Sequence, residues 1–363
     1  MKKIGLMDET VANLKSGPKV FMSRLRSIID EKGKFDNENF DTWINLSFKP
    51  IPNFVRNKKS ASGTKIVVRF DGIYNMRLLP SNSPLPKAII SKINNLFLLY
   101  KNNILIKNYN YADKVIYQSE YSKFLIEEFL FKRNNIERKE STIIKNGVDL
   151  KRFKPKERIK QNDELNILVS HRMVPPKRVH LIPEISRELN YMGINHKIHV
   201  VGSGVKNPWD KFIDTEQRIQ NNILKTNTQS NFIFHGYVDP DELPQFYSEC
   251  DLMLNLSYAD PCPNVVVEAM ACGLPVIAPN SGGIRELVPS KELLVNEFDN
   301  INPKWVSWNY NDLPIIGPKL YADKIQNVMA NLRLYKELTI KNVIEEHDIV
   351  EVTQKYMTFV EGD

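Results

Sequence analysis

Cysteine is scarce: Cys250, Cys262 and Cys272 are the only three in 363 residues. They are too few and too clustered for a disulfide framework, and no second cysteine or histidine cluster completes a zinc site. A reducing, cytoplasmic setting is the expectation. No apolar run approaches the roughly 18 residues that a membrane span needs. The start, Met1-Lys2-Lys3 followed by Asp8 and Glu9, lacks the apolar stretch of a signal peptide. Internal repeats are missing. So are zinc-finger spacing, an RNA-recognition signature and an arginine-rich arm, which makes nucleic acid the weakest of the anionic partners. No Asp-x-Asp pair suited to a divalent cation stands out, and no metal is expected.

What is present suits a folded protein of two domains. The mass is 42.1 kDa, with 42% hydrophobic and 26% charged residues, which are ordinary globular values. The net charge of +7 hides a division. Residues 1–155 carry 29 Lys and Arg against 15 Asp and Glu, a balance of +14, and the remainder holds 21 against 28, or −7. The change of sign at mid-chain supports two domains and suggests that the first meets something anionic, a phosphorylated acceptor or an acidic membrane surface. A solvated lysine-rich surface accounts for the charge equally well. Lys58, Lys59, Lys65 and Arg69 lie close together in sequence. Lys87 to Lys107 sets Ile89, Ile90, Ile93, Leu96, Phe97 and Tyr100 at helical spacing between lysines, which reads either as an amphipathic surface helix or as a core-facing one.

Strand-like runs at Lys3 to Met7, Thr42 to Phe48, Lys65 to Phe70 and Lys114 to Gln118 alternate with helical patterns at Val20 to Ile29, Lys87 to Tyr100 and Glu120 to Phe131. Ile143 to Pro155 turns through Asn146-Gly147 into a charged linker, Lys151 to Glu164. Beyond it the alternation is clearer: strands at Leu165 to Ser170, Lys197 to Val201, Phe232 to His235, Leu252 to Leu256 and Val276 to Ala278, with helices at Val179 to Tyr191, Asp214 to Leu224, Glu242 to Glu249 and Val265 to Cys272. Such alternation gives a parallel sheet covered on both faces. The expected architecture is α/β, with two doubly wound Rossmann-like domains facing each other across a cleft. The first covers 1–155 and the second 160–335, and a C-terminal helix at about 340–363 packs back on the first.

In such sheets ligands bind outside the carboxyl ends of the strands. Four strand-end loops of the second half carry unusual chemistry. In His171-Arg172-Met173-Val174-Pro175-Pro176-Lys177-Arg178, two prolines stiffen a loop with Arg172 and Lys177 at its ends, a planar fork and a point charge suited to a phosphate or diphosphate. Alone, the loop reads better as a solvated basic one. Gly202 and Gly204 let backbone approach a ligand. Tyr237, with Val238, puts a ring where a base could lie, or where it simply packs. In the fourth loop, Ser257 to Asn264, a carboxylate (Asp260) precedes a helix whose first N–H groups, at Asn264 and Val265, are free and whose dipole favours anions. Glu268 lies one turn into that helix, and Asp260-x7-Glu268 can address two parts of one extended ligand.

Asp260-x7-Glu268 followed by Ala-Met-Ala-Cys-Gly-Leu-Pro-Val-Ile, then Ser281-Gly282-Gly283-Ile284-Arg285-Glu286, resembles the signature of family-4 glycosyltransferases (glycosyl transferases group 1), retaining enzymes of the GT-B fold. Asn146-Gly147-Val148-Asp149 with Phe153 and Pro155 resembles the family's domain-ending segment, Arg172-x4-Lys177 its phosphate clamp, and Gly17-Pro18-Lys19, before the helix containing Arg24, its first glycine loop. Two departures stand out. Asp260 occupies a position that is usually Glu, and in Arg69-Phe70-Asp71-Gly72 Asp71 stands where the family often has an N-domain histidine. The resemblance implies a UDP- or GDP-sugar donor, with Glu268 on the ribose, Arg172 and Lys177 on the departing diphosphate in place of a metal, and Asp260 with the Asn264 and Val265 amides on the sugar and its phosphate. Gly17, Gly202, Gly204, Tyr237 and Val238 would line the nucleotide, and Asp71 would face the sugar. The acceptor, glycan, lipid or protein-linked, is not readable. A nucleotide-sugar epimerase of the same fold, or a catalytically silent sugar-nucleotide or glycan-binding scaffold, are the competing readings.

Overall fold

The computed structural model describes residues 2–7, 17–72, 86–131, 136–156, 163–202, 215–303, 313–314 and 317–362. The first domain is built on five parallel strands in the spatial order β1-β2-β3-β4-β5: β1 (Ile4–Leu6), β2 (Thr42–Leu46), β3 (Lys65–Phe70), β4 (Lys114–Tyr117) and β5 (Glu140–Ile143). The order looks sequential, yet the sheet is doubly wound. Phe35 bridges Ile4 on the far side of β1, where the Ile4 N–H donates to the Lys34 carbonyl at 2.9 Å and the Asp36 N–H to the Ile4 carbonyl at 3.1 Å. The chain therefore leaves β1 outward through α1 (Gly17–Glu31), touches the edge at Phe35 and crosses back to β2.

Because crossovers are right-handed, that reversal puts α1 and the later helices on opposite faces. Phe21, Leu25 and Ile29 of α1 pack with Ile4, Leu6, Ile44 and Leu46. The alternate residues Trp43, Ile66 and Val68 face the other way, against Val55 of α2 (Asn53–Ser62) and Leu105 and Tyr109 of α3 (Lys87–Tyr111). α4 (Glu120–Ile126) starts at a Ser119–Ser122 capping box and widens into a π turn over Glu127–Phe131, within the span expected to be one helix.

The second domain holds β6 (Leu165–Ser170), β7 (His196–Val201), β8 (Phe232–Gly236), β9 (Leu252–Leu254), β10 (Val276–Pro279) and β11 (Leu294–Val295), in the order β11-β10-β9-β6-β7-β8. Every described pairing is parallel. The winding reverses between β6 and β9. Its helices are α5 (Ile182–Tyr191), α6 (Thr215–Thr226), α7 (Leu243–Glu249), α8 (Asn264–Ala271) and α9 (Pro318–Met329).

In place of one helix over about 340–363 there are two, α10 (Leu332–Glu346) and α11 (Ile349–Glu361). His347 and Asp348 break the run. The Asp348 carboxylate accepts from the Val350 N–H at 2.9 Å as an N-cap, and Val148 bridges Asp348. α10 lies against α8, whereas α11 joins the first domain's core, where Tyr356 meets Phe21 at 5.7 Å between ring centroids.

Candidate active site

The reversal between β6 and β9 opens a crevice at their carboxyl ends, and the sequence puts its unusual loops there. After β6 the chain tightens into a 3₁₀ turn over Pro175–Lys177 and reaches Arg178 at φ 52°. Arg178 is wholly buried. Its Nε donates to the Leu256 carbonyl at 2.7 Å, its guanidinium pairs with Glu297 at 2.5 Å, and the rings of Tyr258 and Phe298 flank it. This anchor under the loop aims Lys177 across the crevice, where its ammonium forms an ion pair with Asp260 and lies 3.4 Å from the Ser257 hydroxyl. Arg172 is on the same loop with an exposed side chain.

The Asp260 loop is held from below. The Gly283 N–H donates to the Asp260 carbonyl at 3.0 Å and the Ser281 hydroxyl to the Tyr258 carbonyl at 2.8 Å. A Cβ on Gly283 would fall 1.7 Å from the Pro261 carbonyl oxygen, so this close approach requires glycine. α8 follows with Pro263 at its N-cap and no side-chain cap, leaving its N-terminal dipole open towards the crevice. Glu268, on the first turns of α8, is 6% exposed.

Gly202, Tyr237 and Val238 sit at the ends of the neighbouring strands. The Gly202 N–H donates to the Gly236 carbonyl at 2.8 Å, and Gly202, at φ 121°, packs so tightly that an added Cβ would lie 1.9 Å from the His171 carbonyl oxygen. Tyr237 is 73% exposed at this rim, while Val238 is buried in the second domain's core. Gly204 lies outside the described residues.

The first domain reaches the same crevice. Arg24 of α1 pairs with Glu268 at 2.5 Å, donates to the Gly147 carbonyl at 3.3 Å and lies over the Phe153 ring. The Asn264 amide donates to the Gly17 carbonyl at 2.9 Å, and Asn146 donates to the Asn264 side-chain oxygen at 2.7 Å and to the Cys262 carbonyl at 3.0 Å. Asp71 is ion-paired with the buried Arg69 at 2.5 Å, and Gly72 beside it faces Pro261. A second contact closes the seam: the Glu286 carboxylate accepts from the Glu120 and Tyr121 N–H groups, both at 2.8 Å, at the start of α4.

Burial sets the electrostatics. It pushes the Asp71 carboxyl up, with Arg69 opposing. It also pushes Glu286 up, against the two α4 N–H groups, and drives His171 well below its usual value, helped by Lys177. The Cys262 thiol rises to about 12 through burial and is inert. The chain does contain an Asp-x-Asp, Asp239-Pro240-Asp241, but Asp239 accepts from the Asp241 N–H at 2.9 Å and Asp241 pairs with Arg152 at 2.9 Å, so the two carboxylates do not converge on one point.

Gly17, Asp71, Lys177, Asp260, Asn264 and Glu268, read from distant parts of the sequence, thus meet along one seam. Arg24, Asn146, Arg178 and Glu286 also build that seam, although the sequence gave none of them a role of its own. Arg24, Asn146 and Glu286 did carry a signal, each standing in or beside a recognised motif, and Arg178 ends the loop that holds Lys177.

Comparison with known proteins agrees with the fold. Residues 151–302 match the family model of glycosyl transferases group 1. The phosphatidylinositol N-acetylglucosaminyltransferase GPI3 subunit of Saccharomyces cerevisiae is 25% identical over 215 residues, 58% of this chain and 45% of that protein. The chain therefore spans less than half the length of this relative. Among solved structures, Anabaena Alr3699/HepE in complex with UDP superposes with a TM-score of 0.66 at 15% identity, covering 100% of both chains. Sucrose-phosphate synthase from Thermosynechococcus elongatus gives 0.66 at 15% identity, covering 99% of this chain and 98% of that one. The fold is GT-B.

Proposed function

We propose that this chain, whose residues 151–302 form a glycosyl transferases group 1 domain, is a retaining, metal-independent glycosyltransferase of family 4 that moves a sugar from a nucleotide diphosphate sugar to a glycan, lipid or protein-linked acceptor. One observation carries the reading. Lys177, Asp260, the uncapped N-terminus of α8 and Glu268 converge at the winding reversal of the second sheet, where a nucleotide diphosphate finds a cation, open amides and a diol acceptor together. The other carboxylate oxygen of Glu268 accepts from the ribose hydroxyls. The α8 amides and Lys177 hold the diphosphate, and exposed Arg172 adds the second positive charge that the leaving group needs. Asp260 orients Lys177 and the sugar, and Asp71 borders the sugar from the other domain.

In the transfer the bond from the anomeric carbon to the diphosphate oxygen breaks, and the acceptor oxygen bonds to the same face of that carbon. The leaving phosphate takes the acceptor's proton, so the products are a nucleoside diphosphate and a glycoside of unchanged anomeric configuration. Charge compensation by Lys177 and Arg172 is the ground for metal independence. A thermal-shift screen of UDP, GDP and their sugars, followed by turnover with the best donor, tests the reading. The expected result is stabilisation by one diphosphate, about 2.7 kcal/mol at a hundredfold excess over Kd. If no nucleotide sugar shifts unfolding or turns over, the reading fails.

A further inference from the structure

The sequence leaves α3 open between a core-facing helix and a surface one, and the structure divides it. Its second half is a core helix, with Leu105, Asn108 and Tyr109 buried against the sheet. Among the described side chains of its first half only Ile90 is buried. Length explains the division. Twenty-five residues extend about 37 Å, roughly twice the span of a six-residue strand. α3 runs into β4, so its C-terminal half covers the sheet and its first half continues past the carboxyl ends of the strands, the end at which Asp71 sits.

On that overhanging half one face is apolar and open. Leu96 is 67% exposed, Tyr100 64%, Leu99 61% and Ile89 45%. With exposed Lys92 and Lys107 they recur at spacings of three, four and seven and form one stripe, opposite the buried Ile90, Leu105 and Tyr109. Elsewhere among the described residues strongly exposed apolar side chains stand singly, as at Tyr191 and Leu224, or on α10, where Leu334, Leu338 and Ile344 are exposed. The stretch of sequence that contains the stripe carries charge of one sign: residues 72–112 contain five Lys and Arg and no Asp or Glu, in a first half of the chain that carries +14.

The geometry points to α3 as a docking surface for an anionic lipid bilayer, lying in the membrane interface with Ile89, Leu96, Leu99 and Tyr100 among the acyl chains and Lys92 and Lys107 at the headgroups. An acidic protein groove would satisfy the lysines but would have to supply its own apolar face. A bilayer supplies both at once, and the absence of any carboxylate over residues 72–112 removes the repulsion that an anionic surface would impose. The chain has no described helix long and apolar enough to cross a membrane, so the contact is peripheral. This surface does not depend on the transfer reaction, but it lies at the cleft end of the first domain, where it would present a lipid-linked acceptor.

The test is flotation of the full chain with phosphatidylcholine vesicles, with and without about one third phosphatidylglycerol, at about 0.1 M and about 1 M salt. Wild type should float with the anionic vesicles at low salt and lose most of that binding at high salt, as the screening length falls from about 10 Å to about 3 Å. Leu96→Gln/Leu99→Gln/Tyr100→Gln should weaken the partition about tenfold or more. Lys92→Glu/Lys107→Glu should weaken binding to anionic vesicles by about tenfold while leaving any binding to neutral ones unchanged. All these side chains are exposed, so both variants should keep the wild-type unfolding midpoint and nucleotide-induced thermal shift. The proposal is overturned if wild type ignores anionic vesicles at low salt, or if the apolar variant binds as well as wild type. It is equally overturned if light scattering finds a dimer that this variant makes monomeric, because the stripe then joins two copies of the chain.

Discussion

Arg24→Met is the most informative single change at the seam, since it strips the cation from a carboxylate that is nearly buried. The two side chains are 13% and 8% exposed and 2.5 Å apart. Breaking a buried pair from one side costs about 3–5 kcal/mol, and the residual exposure at this site lowers the expectation to about 2–4 kcal/mol. Glu268→Gln leaves Arg24 with the Gly147 carbonyl and the Phe153 ring and should cost less, about 1–3 kcal/mol. The double variant removes both charges, so it should be more stable than the two single losses together predict, by about 2 kcal/mol. Denaturant unfolding of the four proteins measures that coupling. Additivity within about 0.5 kcal/mol would show that the pair contributes little.

Lys177→Ala and Arg172→Ala should each lower turnover by about 10²–10³, the usual loss when a preorganised charge is removed from developing negative charge; near wild-type rates in both would sink the assignment. Turnover should survive excess chelator, and strict dependence on Mg²⁺ or Mn²⁺ would mean that the two cations do not compensate the diphosphate. His180 and His347 are buried with pKa values near 4, mainly through desolvation. Their contribution is complete above the unfolded value near 6.5 and is lost as pH falls towards 4, by up to about 3 kcal/mol each. His347→Gln should therefore flatten the acid limb of a denaturation profile. Gly202→Ala should destabilise by about 2–5 kcal/mol, combining a positive φ with a clash on the His171 carbonyl, and a thermal midpoint equal to wild type would contradict that packing.

Much of this was legible in one dimension because the local periodicities agree with the fold. Strands and helices alternate most clearly after residue 165, and there the sequence anticipates five of the six strands. The sixth, β11, has only two residues, and β5 is hidden because Glu140–Ile143 is an exposed edge with no apolar alternation. The winding of the first sheet was not legible at all. It depends on a single bridge at Phe35, which leaves no strand-length pattern. The break between α10 and α11 hinges on the Asp348 cap, a signal that helical periodicity on both sides obscures.

The sequence alone picked out which loops of the second domain come together at the seam, since Arg172-x4-Lys177 and Asp260-x7-Glu268 are spacings within single loops and a single helix. Only the tertiary structure decided who faces whom. Arg24 and Glu268 are 244 positions apart, and Glu286 reaches the start of α4 across 165. Such pairs arise when two sheets meet at the carboxyl ends of their strands, and no local pattern encodes that arrangement. The same holds for α3. Its apolar spacing is equally good for a core or for a surface, and what decides is that the helix outruns the strands it covers.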